Sequence, residues 1–201
     1  ASYPIQTQYA GHYFDGPKGY YKGGVDVPGT DYPQISHYLT DDLGIDFTYL
    51  HPEVLDDRCV VADGSLNMNN AINHEHFSVI VLPGVKVISL SNLRKIKEAW
   101  EQGVKVIFTT QRPQYAADGA EGNAEVQSIV AHMLDATENK AYFLPAPSAS
   151  TLGEAMEECL PERDVRMSDG THPFNYIHKV RDGHDVFFFG NVDATSATNS
   201  V

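Results

Sequence analysis

The sequence holds no apolar run near the roughly 20 residues needed to cross a bilayer, so a membrane-spanning helix is not expected. It holds no cluster of lysine or arginine, and its formal net charge is −13. A nucleic-acid backbone needs a basic face, so this balance argues against a DNA or RNA partner. Cysteine is scarce: Cys59 and Cys159 are far apart and match neither a zinc spacing nor a C-x-x-C redox pair. Cys159 falls on the apolar face of a predicted helix and reads as a buried thiol, while a bridge between the two stays open. No signal-peptide pattern and no initiator methionine stand at the start of these 201 residues. The chain opens at Ala1-Ser2-Tyr3-Pro4 and is expected to be a processed protein or a segment of a longer one.

What is present is an ordinary globular balance, 42% hydrophobic and 20% charged over 201 residues, which argues against disorder. That length allows one full domain and a small extra piece. The organising stretch runs from His74 to Pro113. Phe77-Ser78-Val79-Ile80-Val81-Leu82-Pro83-Gly84 and Gly103-Val104-Lys105-Val106-Ile107-Phe108-Thr109-Thr110 are β-rich runs of the kind that suit a strand covered on both faces. Between them Leu90, Leu93, Ile96 and Trp100 make one stripe of a helix that Gly103 should end. Two such strands joined by a helix form a βαβ unit.

The rest of the chain continues the alternation. Ala1 to Ile5 reads as the end of a first strand. A long loop, Gln6 to Thr30, follows, crowded with aromatics and glycines, and loops of that length are usually functional or mobile. A helix should start near Thr30 or Asp31, bury Ile35, Tyr38, Leu39 and Leu43, and stop at Gly44. Ile45 to Tyr49 reads as a second strand, and Asp63-Gly64 as a turn between two short strands. Val126, Ile129, Val130 and Met133 mark a helix from about Asn123 to Asp135. Ala141 to Leu144 reads as a fifth strand. Thr151-Leu152-Gly153-Glu154 has a capping-box pattern opening a last helix that carries Cys159. Beyond Pro161, two strands flank Arg181-Asp182-Gly183-His184, a hairpin signal.

These elements predict an α/β fold, a doubly wound, mostly parallel sheet of about five strands of the flavodoxin-like type, with a C-terminal β-hairpin. The α/β domain should span 1–165 and the hairpin, opening a following β-domain, 166–201. Ligands in such sheets sit at the carboxyl ends of the strands. A phosphate site would need glycines and hydroxyls directly after the first strand, and Gln6-Thr7-Gln8-Tyr9-Ala10-Gly11 is poor in both. His74 and His76, with His51, could in principle ligate a metal, yet no H-E-x-x-H or fixed acidic partner accompanies them, so neither metal nor cofactor is expected. Tyr9, His12, Tyr13, Tyr20 and Tyr21 are suited to stacking on sugars, the alternative being a loop packed on its own rings.

The strand from Val104 to Phe108 resembles the lead-in to the catalytic cysteine of class I glutamine amidotransferases, whose layout is the same. Thr110 stands where that cysteine would be, so it marks a pseudo-nucleophile position, with no flanking glycines to open an elbow. Phe77 to Gly84, Ile88 to Ile96 and Gln102 to Ile107 resemble the amidotransferase-like domain of large glycoside hydrolases of the α-L-rhamnosidase type. The trimerisation domain of certain β-galactosidases is a looser likeness. Asn175 to Asn191 is similar to the segment that opens the following β-sandwich in the rhamnosidase-like enzymes, and Tyr3-Pro4-Ile5 to the end of their first strand.

The resemblance implies a catalytic barrel with paired carboxylates upstream of Ala1, no catalytic residue in this chain, and a periplasmic or extracellular location. The expected role is a non-catalytic domain that packs against the adjacent catalytic domain and meets carbohydrate through the parent enzyme. A free-standing small hydrolase on the same fold is the alternative, and a homo-oligomerising module a third reading.

Overall fold

The computed structural model of the chain describes residues 31–69, 74–166 and 174–191. At its centre β4 (Val79–Pro83), β6 (Lys105–Thr109) and β8 (Tyr142–Leu144) form a parallel sheet in the order β4-β6-β8. The register sets Val81 beside Ile107 and Phe108 beside Phe143. β6 takes the middle because it is apolar on successive residues: Val106, Ile107, Phe108 and Thr109 are all 0% exposed.

Side chains alternate across a strand, and β6 therefore feeds two cores. Val106 and Phe108 join Leu93, Ile96, Val126 and Met133 from α3 (Leu90–Glu101) and α4 (Asn123–Asp135). Ile107 joins Ile35, Leu39, Leu152 and Met156 on the other face. There α1 (Tyr32–His37), prolonged by a π-helical stretch Tyr38–Asp42, and α5 (Ala149–Cys159) cover the sheet. Leu93, Ile96 and Trp100 of α3 are buried as their spacing predicts, each worth about 1.5–3 kcal/mol before entropy. Gly103 closes α3 at φ 108°, a conformation that suits glycine.

The expected doubly wound sheet of about five parallel strands is not what the chain forms. The central parallel sheet has three strands, and a separate two-stranded parallel pair joins β5 (Val87–Ile88) to β7 (Tyr115–Ala116). Strands β1 (Cys59–Ala62), β2 (Ser65–Asn69) and β3 (His74–Phe77) form an antiparallel sheet. Ile45 to Tyr49 makes no strand. Its residues are held by side chains instead: Ile45 is buried, and the rings of Phe47 and Tyr49 meet edge to face at 5.0 Å. His74 to Phe77, which runs straight into β4 in the sequence, pairs with β2 and is separated from β4 by a bend at Ser78.

Both Asp-Gly signals are turns of the kind expected. Asp63 and Gly64 have φ of 53° and 72°, and Asp182 and Gly183 have 52° and 73°. Positive φ at both central residues is the signature of the type I′ turn, whose twist matches that of the flanking strands. The second turn joins β9 (Phe174–Arg181) to β10 (His184–Asn191). The last helix starts earlier than its sequence pattern suggests: Ser148 is the N-cap and Thr151 the third residue of a reciprocal capping box. No helix among the described residues is long and apolar enough to cross a membrane.

Candidate functional site

The carboxyl end of β6 is the first candidate. Thr110 follows it with φ +54°, a region a β-branched residue rarely occupies. The Gln111 N–H donates to the Thr109 carbonyl at 2.5 Å, closing a three-residue turn around Thr110, and the Thr110 N–H donates to the Leu144 carbonyl at 2.8 Å. Left-handed backbone costs an L-residue about 1–2 kcal/mol, and such strain gathers at functional sites. The Thr110 hydroxyl donates to Asp31 Oδ2 at 2.6 Å. Asp31 begins α1, but its carboxylate makes no capping bond; it reaches sideways to β6, while its carbonyl accepts from the Ile35 N–H. The turn is thus a sharp elbow with a hydroxyl at its tip, fastened to a carboxylate.

A carboxylate is a weak base for an alcohol, and a working hydroxyl nucleophile needs a stronger one beside it. The thiols do not substitute. Cys59 and Cys159 are both free and buried, at the edges of opposite cores. Burial raises the Cys59 pKa and pushes that of Cys159 to about 11, so neither is a thiolate at neutral pH.

The second candidate is a cleft of about 470 Å³ beside β4, walled by α1, residues 45–50 and the stretch of β9 from Tyr176 to Val180. Its carboxylates each hold a partner, although Glu75 Oε2 is buried without one among the described residues. Glu75 receives Lys179 Nζ at 2.5 Å. The His178 ring bonds Asp164 through Nδ1 at 2.9 Å and Asp185 through Nε2 at 2.8 Å, and its main-chain N–H donates to Asp46 at 3.0 Å. The ring also stacks on Phe187 at 4.3 Å. Burial works to lower the His178 pKa, but the bonds to Asp185 and Asp164 outweigh it and the net shift is upward. Arg163 donates to the Leu43 carbonyl at 2.8 Å and pairs with Glu157. Glycoside hydrolysis asks for two carboxylates free to act as acid and base or nucleophile. Glu75, Asp164 and Asp46 are each engaged by a cation, a histidine or a main-chain N–H.

With this geometry in view, comparison with known proteins decides the family. The family model described as alpha-L-rhamnosidase, glycoside hydrolase family 106, matches residues 27–201. The chain belongs to the alpha-L-rhamnosidase family. No curated protein and no solved structure matches it. The match spans both the parallel sheet and the hairpin, so these are parts of one rhamnosidase-family sequence.

Of the residues singled out from this rhamnosidase-family sequence, Tyr9, His12, Tyr13, Tyr20 and Tyr21 lie outside the described residues, as does Ala1 to Ile5. Thr110 sits on a sharp turn although no glycine flanks it. His74 and His76 alternate along β3 as their spacing implies, yet His76 bonds Asn67, and His51 caps α2 (Pro52–Arg58) by accepting from the Glu53 N–H. Among the described residues no group of three or more His, Cys, Asp or Glu is placed to hold a metal ion.

Two arrangements escaped the sequence reading. The Asp31–Thr110 bond joins residues remote in the chain, with no local signal. The His178 cluster had a partial one. A two-residue loop at Asp182-Gly183 fixes the hairpin register, with Val180 opposite Asp185 and His178 opposite Phe187, and so sets His178 and Asp185 on one face as diagonal neighbours.

Proposed function

We propose that this chain is a non-catalytic part of an α-L-rhamnosidase-type glycoside hydrolase, a scaffold that packs against the catalytic portion of the longer enzyme. The observation that carries this reading is the elbow after β6. The strained turn is kept, but its tip is a threonine whose hydroxyl is held by Asp31, and the carboxylates of the neighbouring cleft are all engaged. Glycosidic-bond hydrolysis asks for a free pair of carboxylates, and among the described residues Asp46, Glu75 and Asp164 of the cleft each already hold a partner.

On this reading the hairpin is the start of a further β-domain. Two strands alone are marginal, and β10 is an edge strand whose Phe188 is 63% exposed, with Ile177 beside it 50% exposed. That apolar face suits continuation of the polypeptide. The aromatic loop that includes Tyr9, His12, Tyr13, Tyr20 and Tyr21 would then lend rings to the sugar site of the parent enzyme, which would act outside the cytoplasm. The experiment is to place Thr110→Ala in the parent hydrolase. The reading expects kcat on an aryl α-L-rhamnoside within about twofold of the wild type, with a lower Tm. A loss of about a hundredfold or more in kcat at unchanged Tm would overturn it.

A further inference from the structure

We infer that the seam between the hairpin and the α/β unit is a proton-operated clasp: protonated His178 pins the hairpin to the loop after α5, and neutral His178 lets it part. The clasp itself does not depend on the role proposed above. If the hairpin opens a further β-domain, as proposed there, the clasp is the joint to it.

The hairpin shares neither core. Among the described residues, no side chain of β9 or β10 joins the two apolar clusters that sandwich the parallel sheet. Polar bonds hold it instead. Lys179 Nζ donates to Glu75 of β3 at 2.5 Å, the His178 N–H to Asp46 at 3.0 Å, and the Asn175 amide to Asp41 at 3.5 Å. A segment attached with few apolar contacts opens at a fraction of the cost of unfolding the whole.

One further bond across the seam depends on a proton. The His178 ring lies between two carboxylates, with Asp164 Oδ2 2.9 Å from Nδ1 and Asp185 Oδ1 2.8 Å from Nε2. An imidazolium has an N–H for each. A neutral imidazole has one, so in either tautomer a ring nitrogen turns its lone pair on a carboxylate. The two carboxylates are not equivalent. Asp185 lies on β10, as does Phe187, which pairs with His178 and stacks on its ring at 4.3 Å, so both move with the hairpin. Asp164 follows α5 and stays behind. The conflict is relieved by parting from Asp164.

The neighbouring charges do not replace the lost proton. Lys179 is committed to Glu75, and Arg163, beside Asp164, to the Leu43 carbonyl and Glu157. Asp46 adds a third carboxylate. Another histidine near the seam, His37, bonds Asp41 on its own side, and Asp41 reaches Asn175 only at 3.5 Å. Burial lowers the His178 pKa, the bonds to Asp185 and Asp164 raise it by more, and the share due to Asp164 is what docking adds. The clasp is therefore shut below the ordinary histidine value of about 6.5. It opens as pH rises above that, by up to about tenfold per pH unit until the docked value is passed.

The test is energy transfer between dyes on Glu154→Cys of α5 and Arg181→Cys beside the hairpin turn, both exposed positions, the native thiols being buried. It is read in the 201-residue chain from about pH 5.5 to about pH 8.5, with Trp100 fluorescence confirming that the α/β unit stays folded. The expected result is a low-transfer population on the order of tenfold larger at the alkaline end, and no change with pH in His178→Gln. Equal transfer at both ends in the wild type would overturn the proposal. So would a fall that persists in His178→Gln, which would assign the titration to His37 or another group. Should that variant not fold, Asp164→Asn, at a half-exposed position, keeps the histidine and removes its partner across the seam. It should abolish the fall, and a fall kept in full refutes the clasp.

Discussion

Replacing Thr110 separates its two roles, because backbone strain and the hydroxyl respond to different substitutions. Thr110→Val keeps the β-branched shape at φ +54° and removes the donor to Asp31. A hydrogen bond to a charged group contributes about 1.5–3 kcal/mol. The pair is only part-buried, so the lower half of that range applies. The loss is aggravated because Asp31 Oδ1 already has no partner in its buried position. The valine variant should therefore lose about 2 kcal/mol, or about 4–8 °C in Tm for a chain of this size.

Thr110→Ser keeps the donor and relieves the branching, and should match or slightly exceed the wild type. Thr110→Gly loses the bond but recovers about 1–2 kcal/mol of strain, and should fall between serine and valine. Urea unfolding followed by tryptophan fluorescence reads all three, because Trp100 is the single tryptophan and is buried against the His132 ring. Valine within about 0.5 kcal/mol of the wild type, below the size of any bond to a charged acceptor, would refute the reasoning, as would valine more stable than serine.

Protonated His178 donates to Asp164 and Asp185 together, and its pKa is raised in the fold, so its contribution is full below the ordinary histidine value of about 6.5 and is lost as pH rises through the folded value. Exchange of the His178 amide, bonded to Asp46, should quicken across that window, and His178→Gln should flatten the dependence; a ring titration at or below 6.5 would contradict this. Phe108, wholly buried in β6, should cost about 3–5 kcal/mol when replaced by alanine, read by the same urea titration. Alkylation at neutral pH should label neither Cys59 nor Cys159 in the native chain and both after denaturation, by mass; rapid native labelling of either would revive a thiol nucleophile.

The parts of the fold that could be read from sequence are those whose signal lies within one turn or one window. The α3 and α4 stripes place Leu93, Ile96, Val126 and Met133 in the core as their spacing implies, because burial follows the helical period. Asp63-Gly64 and Asp182-Gly183 form their turns because few other pairs adopt positive φ twice. Strand pairing is different. Ile45 to Tyr49 has the composition of a strand, but composition does not name a neighbour, and without one the stretch is held by its side chains. The bend at Ser78 that parts β3 from β4 likewise leaves no mark in a continuous β-rich run.

The site was legible to a similar degree. Thr110 could be picked out from its place after an apolar strand, but not its backbone conformation or its partner, since Asp31 carries the ordinary signal of a helix cap and uses its carboxylate elsewhere. Lys179 and Glu75 meet only because the hairpin folds back onto β3, a long-range event no local pattern announces.

The central claim is that the elbow of this rhamnosidase-family chain carries no chemistry of its own. The 201-residue chain, purified alone, is incubated with an aryl α-L-rhamnoside and the released phenol is followed. The account predicts release no faster than in a control without protein. Turnover at an enzyme-like rate of about 1 s⁻¹ or more, co-purifying with the chain and abolished by Thr110→Ala in a variant that still folds, would contradict it.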